Sequence, residues 1–289
     1  MPSGGVVRRV LAVAGLTLRE ALRRRVILAA VLMSAAFLMV YGAAAYFAST
    51  EILGMGNSGM DELMRRGVSV QLLYMGLFPT SFLIALTALL AGAGAISGEL
   101  DSGVIYGVLA RPIRRAELVV GKFLGLATML ALYTAVFYGS VIGIARWQMH
   151  TPLTNWQGAL AVLVLEPMPL LALAVLGSTR LPTLANGVLG LAFYGLAFIG
   201  GLIEQIGAFI ENATMANIGI VSSLIMPVDA LHRFALSQLV PPGLLVLQGA
   251  GPPGMGAGST PSVWMVVYAV GYVVVLVWLA AVSFGHRDL

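Results

Sequence analysis

Six long stretches of this sequence are almost free of charge, and they constrain the fold more than any other feature. A helix needs about 20 apolar residues to cross the hydrocarbon core of a bilayer. The stretches predict spans at about 26–48, 72–97, 120–145, 159–178, 181–203 and 263–285. Only 10% of the 289 residues are charged, whereas soluble domains carry about 25%. The sequence therefore predicts an all-α, polytopic membrane protein with a single transmembrane domain over residues 1–289.

The basic residues predict the orientation of these spans. An even number of spans puts both termini on one side, and short cytoplasmic segments are enriched in Lys and Arg. Twelve of the 16 basic residues fall near the termini and in the even-numbered connections, which predicts that both termini lie in the cytoplasm, beneath the cytoplasmic (inner) membrane. The opposite, external side is assigned Arg65, Arg66, Arg146 and Arg233.

Two of the segments outside the predicted spans have a composition of their own. Residues 1–25 are amphipathic and rich in arginine, which favours a helix in the headgroup layer; a cytoplasmic extension of the first span is the alternative. Residues 204–262 are expected to form an extracytoplasmic loop that includes His232 and Arg233. Its first part is half apolar, with a helix start near Pro227, so it is also able to dip into the membrane where protein covers its backbone.

The predicted cytoplasmic loop at 98–119 is unusually polar for this chain. Within it, residues 101–110 are expected to form a short helix that Asp101 or Ser102 caps and Pro112 ends. One side of this helix is apolar and consists of Val104, Ile105, Val108 and Leu109. The residues alone leave two interpretations open, a surface turn that orients the protein and a docking helix for a cytoplasmic partner.

The segment GELDSGVIYGVLARPIRRAELVVGKFLG, residues 98–125, resembles the cytoplasmic loop of ABC-2 type transporter permeases. The stretches TLREALRRRVIL and SFGHRDL are also similar to that family, and the closest likeness is to the group associated with multicopper-enzyme maturation and nitrous oxide reductase. The positions that carry the loop resemblance are Glu99, Gly103, Leu109, Pro112, Arg115, Leu118, Gly121 and Lys122.

This resemblance implies a type V exporter-like transmembrane domain whose 101–110 helix couples it to a separate ATP-binding cassette subunit. It also implies export and a second permease copy, identical or different. The residues assigned to coupling by the resemblance are Glu99, Asp101, Gly103, Val104, Ile105, Val108, Leu109, Arg111 and Arg115.

The sequence carries no phosphate-binding loop of its own. A G-x-x-x-x-G-K-[ST] motif is absent, and Gly121-Lys122 is followed by Phe123 at the start of a predicted span. We therefore expect no cofactor on this chain and ATP with Mg²⁺ on the partner. Cysteine is absent as well, which excludes thiolate metal sites and cysteine nucleophiles. No metal site, catalytic site or nucleic-acid partner is predicted.

Glu166 is the one acid that the predicted spans place well inside the membrane. A charge there is costly, about 3 kcal/mol on insertion scales, so Glu166 either lines the transport pathway or reaches the outer interface. Pro167 and Pro169 are expected to kink the helix beside it. Two other functions stay open, a self-contained secondary transporter that uses Glu166 and a membrane scaffold for an assembly factor. An intramembrane phosphotransferase is disfavoured, because its metal site needs several aspartates and the corresponding stretch contains only Asp101.

Overall fold

The structure is a computed structural model that describes residues 4–53, 59–101, 114–241 and 260–286. Within these ranges the regular elements are all α-helices. They are α1 (Gly4–Arg23), α2 (Arg25–Leu53), α3 (Gly59–Ala93), α4 (Ser97–Asp101), α5 (Arg115–Gln148), α6 (Trp156–Leu165), α7 (Met168–Ser178), α8 (Thr183–Phe209), α9 (Ala213–Ile225), α10 (Val228–Leu239) and α11 (Trp264–Gly285).

Six segments of the described chain are long and apolar enough to cross a membrane, which confirms the predicted number of spans and the all-α class. The six segments are Arg25–Glu51, Met64–Leu100, Arg115–Gln148, Trp156–Ser178, Thr183–Phe209 and Trp264–Gly285. Each of them overlaps one predicted span. The fifth segment is longer than the predicted span 181–203, because its helix α8 continues to Phe209.

The N-terminal helix α1 is separated from α2 by a break at Arg24 and packs along the first half of α5. Two glycines of α5 allow this close approach. A Cβ atom at Gly121 would lie 2.7 Å from the Cβ of Val13, and one at Gly125 would lie 2.6 Å from the carbonyl oxygen of Ala14. The start of the third span is thus held directly against α1.

Two of the spans are interrupted inside the bundle. The fourth span breaks at Glu166 and Pro167, between α6 and α7, where the predicted kink occurs. Proline has no N–H group and clashes with the preceding turn, so Pro167 and Pro169 explain this break. The second span, which the sequence predicts to be continuous, breaks at residues 94–96, between α3 and α4.

The helices α9 and α10 form a bent pair between the fifth and sixth spans. The chain reverses after α8 at Glu211, whose φ is 55°, and α9 packs tightly back along α8 because both helices contribute glycines. A Cβ atom at Gly219 would lie only 2.2 Å from the Cβ of Glu204. At Met226 and Pro227 the direction changes by 107°, and the pair together qualifies as a broken span or re-entrant loop.

The carbonyl groups at the bend between α9 and α10 are satisfied by side chains of the last span. Tyr268 and Tyr272 of α11 donate hydrogen bonds to the carbonyl oxygens of Leu224 and Ile225, at 2.6 and 2.8 Å. A helix that ends inside a bilayer needs such protein partners, because no water is available there. This part of the predicted external loop therefore has the hydrogen bonding that a re-entrant segment requires.

Candidate functional site

Glu166 lies at the break of the fourth span and is only 2% exposed. Its carboxylate receives hydrogen bonds from three other elements. The Tyr138 hydroxyl of α5 donates to Oε2 at 2.7 Å, the Ser81 hydroxyl of α3 donates to Oε1, and the His232 Nδ1 atom of α10 lies 3.2 Å from Oε2. Glu166 thus faces the bundle interior, and its assignment to the transport pathway stays a prediction.

The elements around Glu166 explain how the chain brings these groups together. The proline break turns the Glu166 side chain into the space between α3, α5 and α10. Pro79 removes one helical hydrogen bond from α3 just before Ser81. The far end of α10 is anchored to the start of α6, because the backbone N–H groups of Thr154 and Asn155 donate to the carbonyl oxygens of Leu239 and Gln238.

A second group of charges lies beside Glu166 and centres on Arg233, which is also 2% exposed. The Arg233 guanidinium donates two hydrogen bonds to the Glu204 carboxylate, at 2.9 and 2.7 Å, and its Nε atom donates to Asp229 at 2.8 Å. Such a bidentate arrangement is the strong geometry for an arginine with a carboxylate. It attaches α10 firmly to α8.

His232, Arg233 and Glu204 are buried where the sequence predicts an external loop. His232 and Arg233 belong to that predicted loop, yet both side chains are packed inside the bundle. Glu166 is also not the only acid within a span, because Glu204 lies inside the extended fifth one. These residues can be buried because their charges pair between helices. The pairing is not visible locally in the sequence, since Glu204 and Arg233 are 29 positions apart. One local signal for this burial is the i,i+4 spacing of Asp229 and Arg233 on a half-apolar segment, which places the two opposite charges next to each other on a helix.

A narrow cavity lies between α3, α8 and α10, beside these two groups. It leaves about 20 Å³ for the centre of a water molecule, which is room for roughly one water. Its wall combines aromatic rings with the ionic groups, so it offers both apolar and charged contacts. The lining residues are Tyr74, Phe78, Ser81, Tyr194, Phe198, Gln205, Val228, Asp229, His232, Arg233 and Leu236.

This arrangement gives the interior a chemistry that a purely apolar bundle lacks. Three carboxylates, one guanidinium and one imidazole share a small volume in which charge is poorly screened. The Glu166 carboxylate is hydrogen-bonded to Ser81, Tyr138 and His232, and the His232 imidazole lies 3.2 Å from it. The same contacts hold α10 against α3, α5 and α8, so any change in them alters how the bent pair sits in the bundle.

The predicted coupling residues fall mostly outside the described residues. Gly103, Val104, Ile105, Val108, Leu109 and Arg111 all lie there. Asp101 is the last residue of α4, Glu99 of the same helix forms an ion pair with Lys122 of α5, and Arg115 at the start of α5 donates to the carbonyl oxygen of Gly285 at 3.4 Å. The assignment of these residues to coupling stays a prediction.

The N-terminal helix is tied to the same end of the bundle by an ion pair. Arg9 of α1 donates two hydrogen bonds to the Glu117 carboxylate of α5, at 2.8 and 2.9 Å. These bonds, with the negative charge of Glu117, raise the pKa of Arg9 above its usual value. The first turn of α5 therefore contacts both α1 and the end of α11.

Comparisons with known proteins agree with the membrane architecture. The sequence profile of a family described as "ABC-2 family transporter protein" matches residues 11–289. A 60-residue part of the chain is 43% identical to part of the "Probable ABC transporter permease protein NosY" of Pseudomonas aeruginosa strain PAO1. That alignment covers 21% of this chain and 22% of the relative, so the chain matches only about a fifth of the relative's length.

Proposed function

The chain belongs to the ABC-2 family of transporter proteins, and on this premise we propose that it is a permease subunit that exports its substrate with ATP hydrolysed on a separate chain. As a multi-pass member of that family, it is a membrane component of an ATP-binding cassette transporter. The absent phosphate-binding loop supports the part of the proposal that concerns ATP, because the energy then has to come from a partner. We place the docking surface for this partner at residues 101–110, outside the described residues.

The buried environment of Glu166 is the observation that carries our proposal for the pathway. An ionisable residue inside a membrane is costly and usually marks a substrate or ion route. Here it lies where two interrupted elements meet, the fourth span and the bent α9–α10 pair. The adjoining cavity has room for roughly one water molecule. We propose that it widens when the partner binds ATP.

The orientation also belongs to the proposal. Arg233 and Lys122 are both buried in ion pairs, so each side has one fewer exposed basic residue than the sequence predicts. The excess of basic residues on the side of the termini remains, which supports a cytoplasmic placement of that side. Both termini and the 98–119 loop then face the cytoplasm, where an ATP-binding subunit is found.

Thiol labelling of the cavity tests this proposal, since the chain has no cysteine of its own. We expect a Phe198→Cys variant, assembled with its partner in nanodiscs, to react with a water-soluble thiol reagent at a rate that ATP with Mg²⁺ changes about tenfold, a typical coupling between two sites. Phe198 lines the cavity but makes none of the ionic contacts described above. The labelling rate is measured by mass spectrometry with and without nucleotide.

Two control positions make the result specific. Trp147→Cys, at a residue 86% exposed, is expected to react fast in both states, and Leu163→Cys, at a residue 0% exposed, is expected to react slowly in both. A Phe198→Cys rate that nucleotide does not change would overturn the pathway proposal. If ATP has no effect but a change of pH alters the Phe198→Cys rate more than the Trp147→Cys rate, which carries the pH dependence of the thiol itself, the secondary-transporter alternative based on Glu166 is favoured.

A further inference from the structure

The break in the second span, at residues 94–96, is buried rather than exposed. Ala95 and Ile96 are 4% and 0% exposed. A break inside a bilayer leaves backbone carbonyl groups without helical partners, and each such group is costly unless another part of the protein satisfies it. Side chains from other helices therefore have to donate hydrogen bonds to these carbonyl groups.

Two polar side chains from other spans fill this role. The Lys122 ammonium of α5 donates a hydrogen bond to the carbonyl oxygen of Ala95 at 2.6 Å. The Asn186 amide of α8 donates to the carbonyl oxygen of Ala93 at 3.0 Å and also to that of Ala174 in α7, at 2.7 Å. Both side chains are buried, at 5% and 2% exposure. The break is thus bonded to the third, fourth and fifth spans.

Contacts beyond the break extend this connection to α4. Lys122 also forms an ion pair with Glu99, so one side chain holds both the break and the helix that follows it. The Ser97 hydroxyl at the start of α4 lies 2.9 Å from the Thr183 hydroxyl at the start of α8. The short helix α4 therefore moves relative to the bundle only if these contacts change.

We infer that Lys122 and Asn186 are positioning residues that transmit motion of α4 across the 94–96 break to the third, fourth and fifth spans. This inference rests on the proposed function, because α4 leads directly into the loop on which the ATP-binding subunit is proposed to dock. The connection consists of hydrogen bonds and an ion pair, whose geometry is more specific than that of apolar packing. The break lets α4 tilt, and the two side chains transfer that tilt to α5, α7 and α8.

Two reporters separate motion on the two sides of the break. An environment-sensitive fluorophore on Gly98→Cys reports on α4, where an added Cβ atom meets nothing within 4 Å. The Phe198→Cys labelling rate reports on the cavity, and each reporter is used in the assembled transporter in nanodiscs. For Lys122→Met and Asn186→Leu we expect the ATP response at Gly98→Cys and the ATPase rate to persist, and the ATP response at Phe198→Cys to fall about fivefold or more. Lys122→Arg, which keeps the charge and a donor, is expected to retain both responses.

The outcomes are distinct. Persistence of the Phe198→Cys response in both Lys122→Met and Asn186→Leu would overturn the inference. Loss of both the Gly98→Cys and the Phe198→Cys responses would overturn it as well, since the defect would then lie at docking. If neither reporter responds to ATP in the protein without these substitutions, the proposed function fails and the inference with it. Where Lys122→Met does not fold, Asn186→Leu decides, and persistence of its Phe198→Cys response would overturn the inference.

Discussion

Replacing Arg233 by methionine is expected to lower the heat resistance of the folded protein strongly. The substitution keeps an unbranched apolar stem but leaves the Glu204 and Asp229 carboxylates buried without their cation. Removing one partner of a buried ion pair costs about 3–5 kcal/mol, and a whole folded domain is stable by only about 5–15 kcal/mol. The fraction of protein that elutes as a monodisperse species after heating in detergent measures the loss.

Control variants separate lost charge balance from a general effect of substitution. Arg146→Met, at an exposed arginine of α5, is expected to behave like the unmodified protein. A triple variant with Arg233→Met, Glu204→Gln and Asp229→Asn removes the buried charges together and is expected to recover much of the stability, because neutral groups are cheaper to bury. A single Arg233→Met variant as heat-resistant as the unmodified protein would contradict the role assigned to this ion group.

Replacing Glu166 by leucine is expected to loosen α10 within the bundle. The hydroxyl groups of Ser81 and Tyr138 and the imidazole of His232 would each lose a partner. His232 is the one of these three that lies on α10, and a buried donor left unsatisfied costs about 1–3 kcal/mol, so the amide hydrogens of α10 should exchange up to about a hundredfold faster. Hydrogen–deuterium exchange of peptides covering Val228–Leu239 measures the effect.

Glu166→Gln is the matched control for that experiment. Glutamine keeps the shape and one acceptor oxygen, and the two hydroxyl groups are able to rotate to accept from its NH₂ group. We expect the exchange rate in α10 to stay within about tenfold of that of the unmodified protein, which corresponds to a change of about 1.4 kcal/mol in the free energy of local opening. Equal exchange in the leucine and glutamine variants would show that the hydrogen bonds to Glu166 do not hold α10.

The features predicted from the sequence are those that depend on local composition. Apolar runs identify the six spans, Pro167 and Pro169 identify the break beside Glu166, and Pro227 identifies the start of α10. These signals are local because a helix in lipid has to satisfy its own backbone and therefore shows an unbroken apolar run. A proline interrupts that run at a position that is visible in the sequence.

The features that the sequence did not predict depend on contacts between distant residues. Arg233 was read as an external charge, because its partner Glu204 is 29 positions away on another helix. The break at 94–96 was missed because Lys122 and Asn186 satisfy its carbonyl groups from spans that the sequence does not connect to it. No proline marks this break, and glycines are common in membrane helices in any case.

The proposed function assigns the chain two regions. The interior region contains Glu166 and the Arg233 ion group, at the meeting point of the fourth span and the bent pair. The other region contains α1, α4 and the first turns of α5, where the ion pairs Arg9–Glu117 and Glu99–Lys122 lie. The proposed mechanism requires an ATP-binding partner at the second region to change the first.

Purification of the tagged protein from native membranes, with an ATPase assay of the eluate, tests this central claim most directly. The account predicts an ATP-binding subunit in stoichiometric amount and ATP hydrolysis in the eluate. It also predicts that both are lost when Val104 and Ile105 are replaced by Asp, while the protein still inserts and folds. A folded protein that elutes without a partner and without ATPase activity would contradict the account.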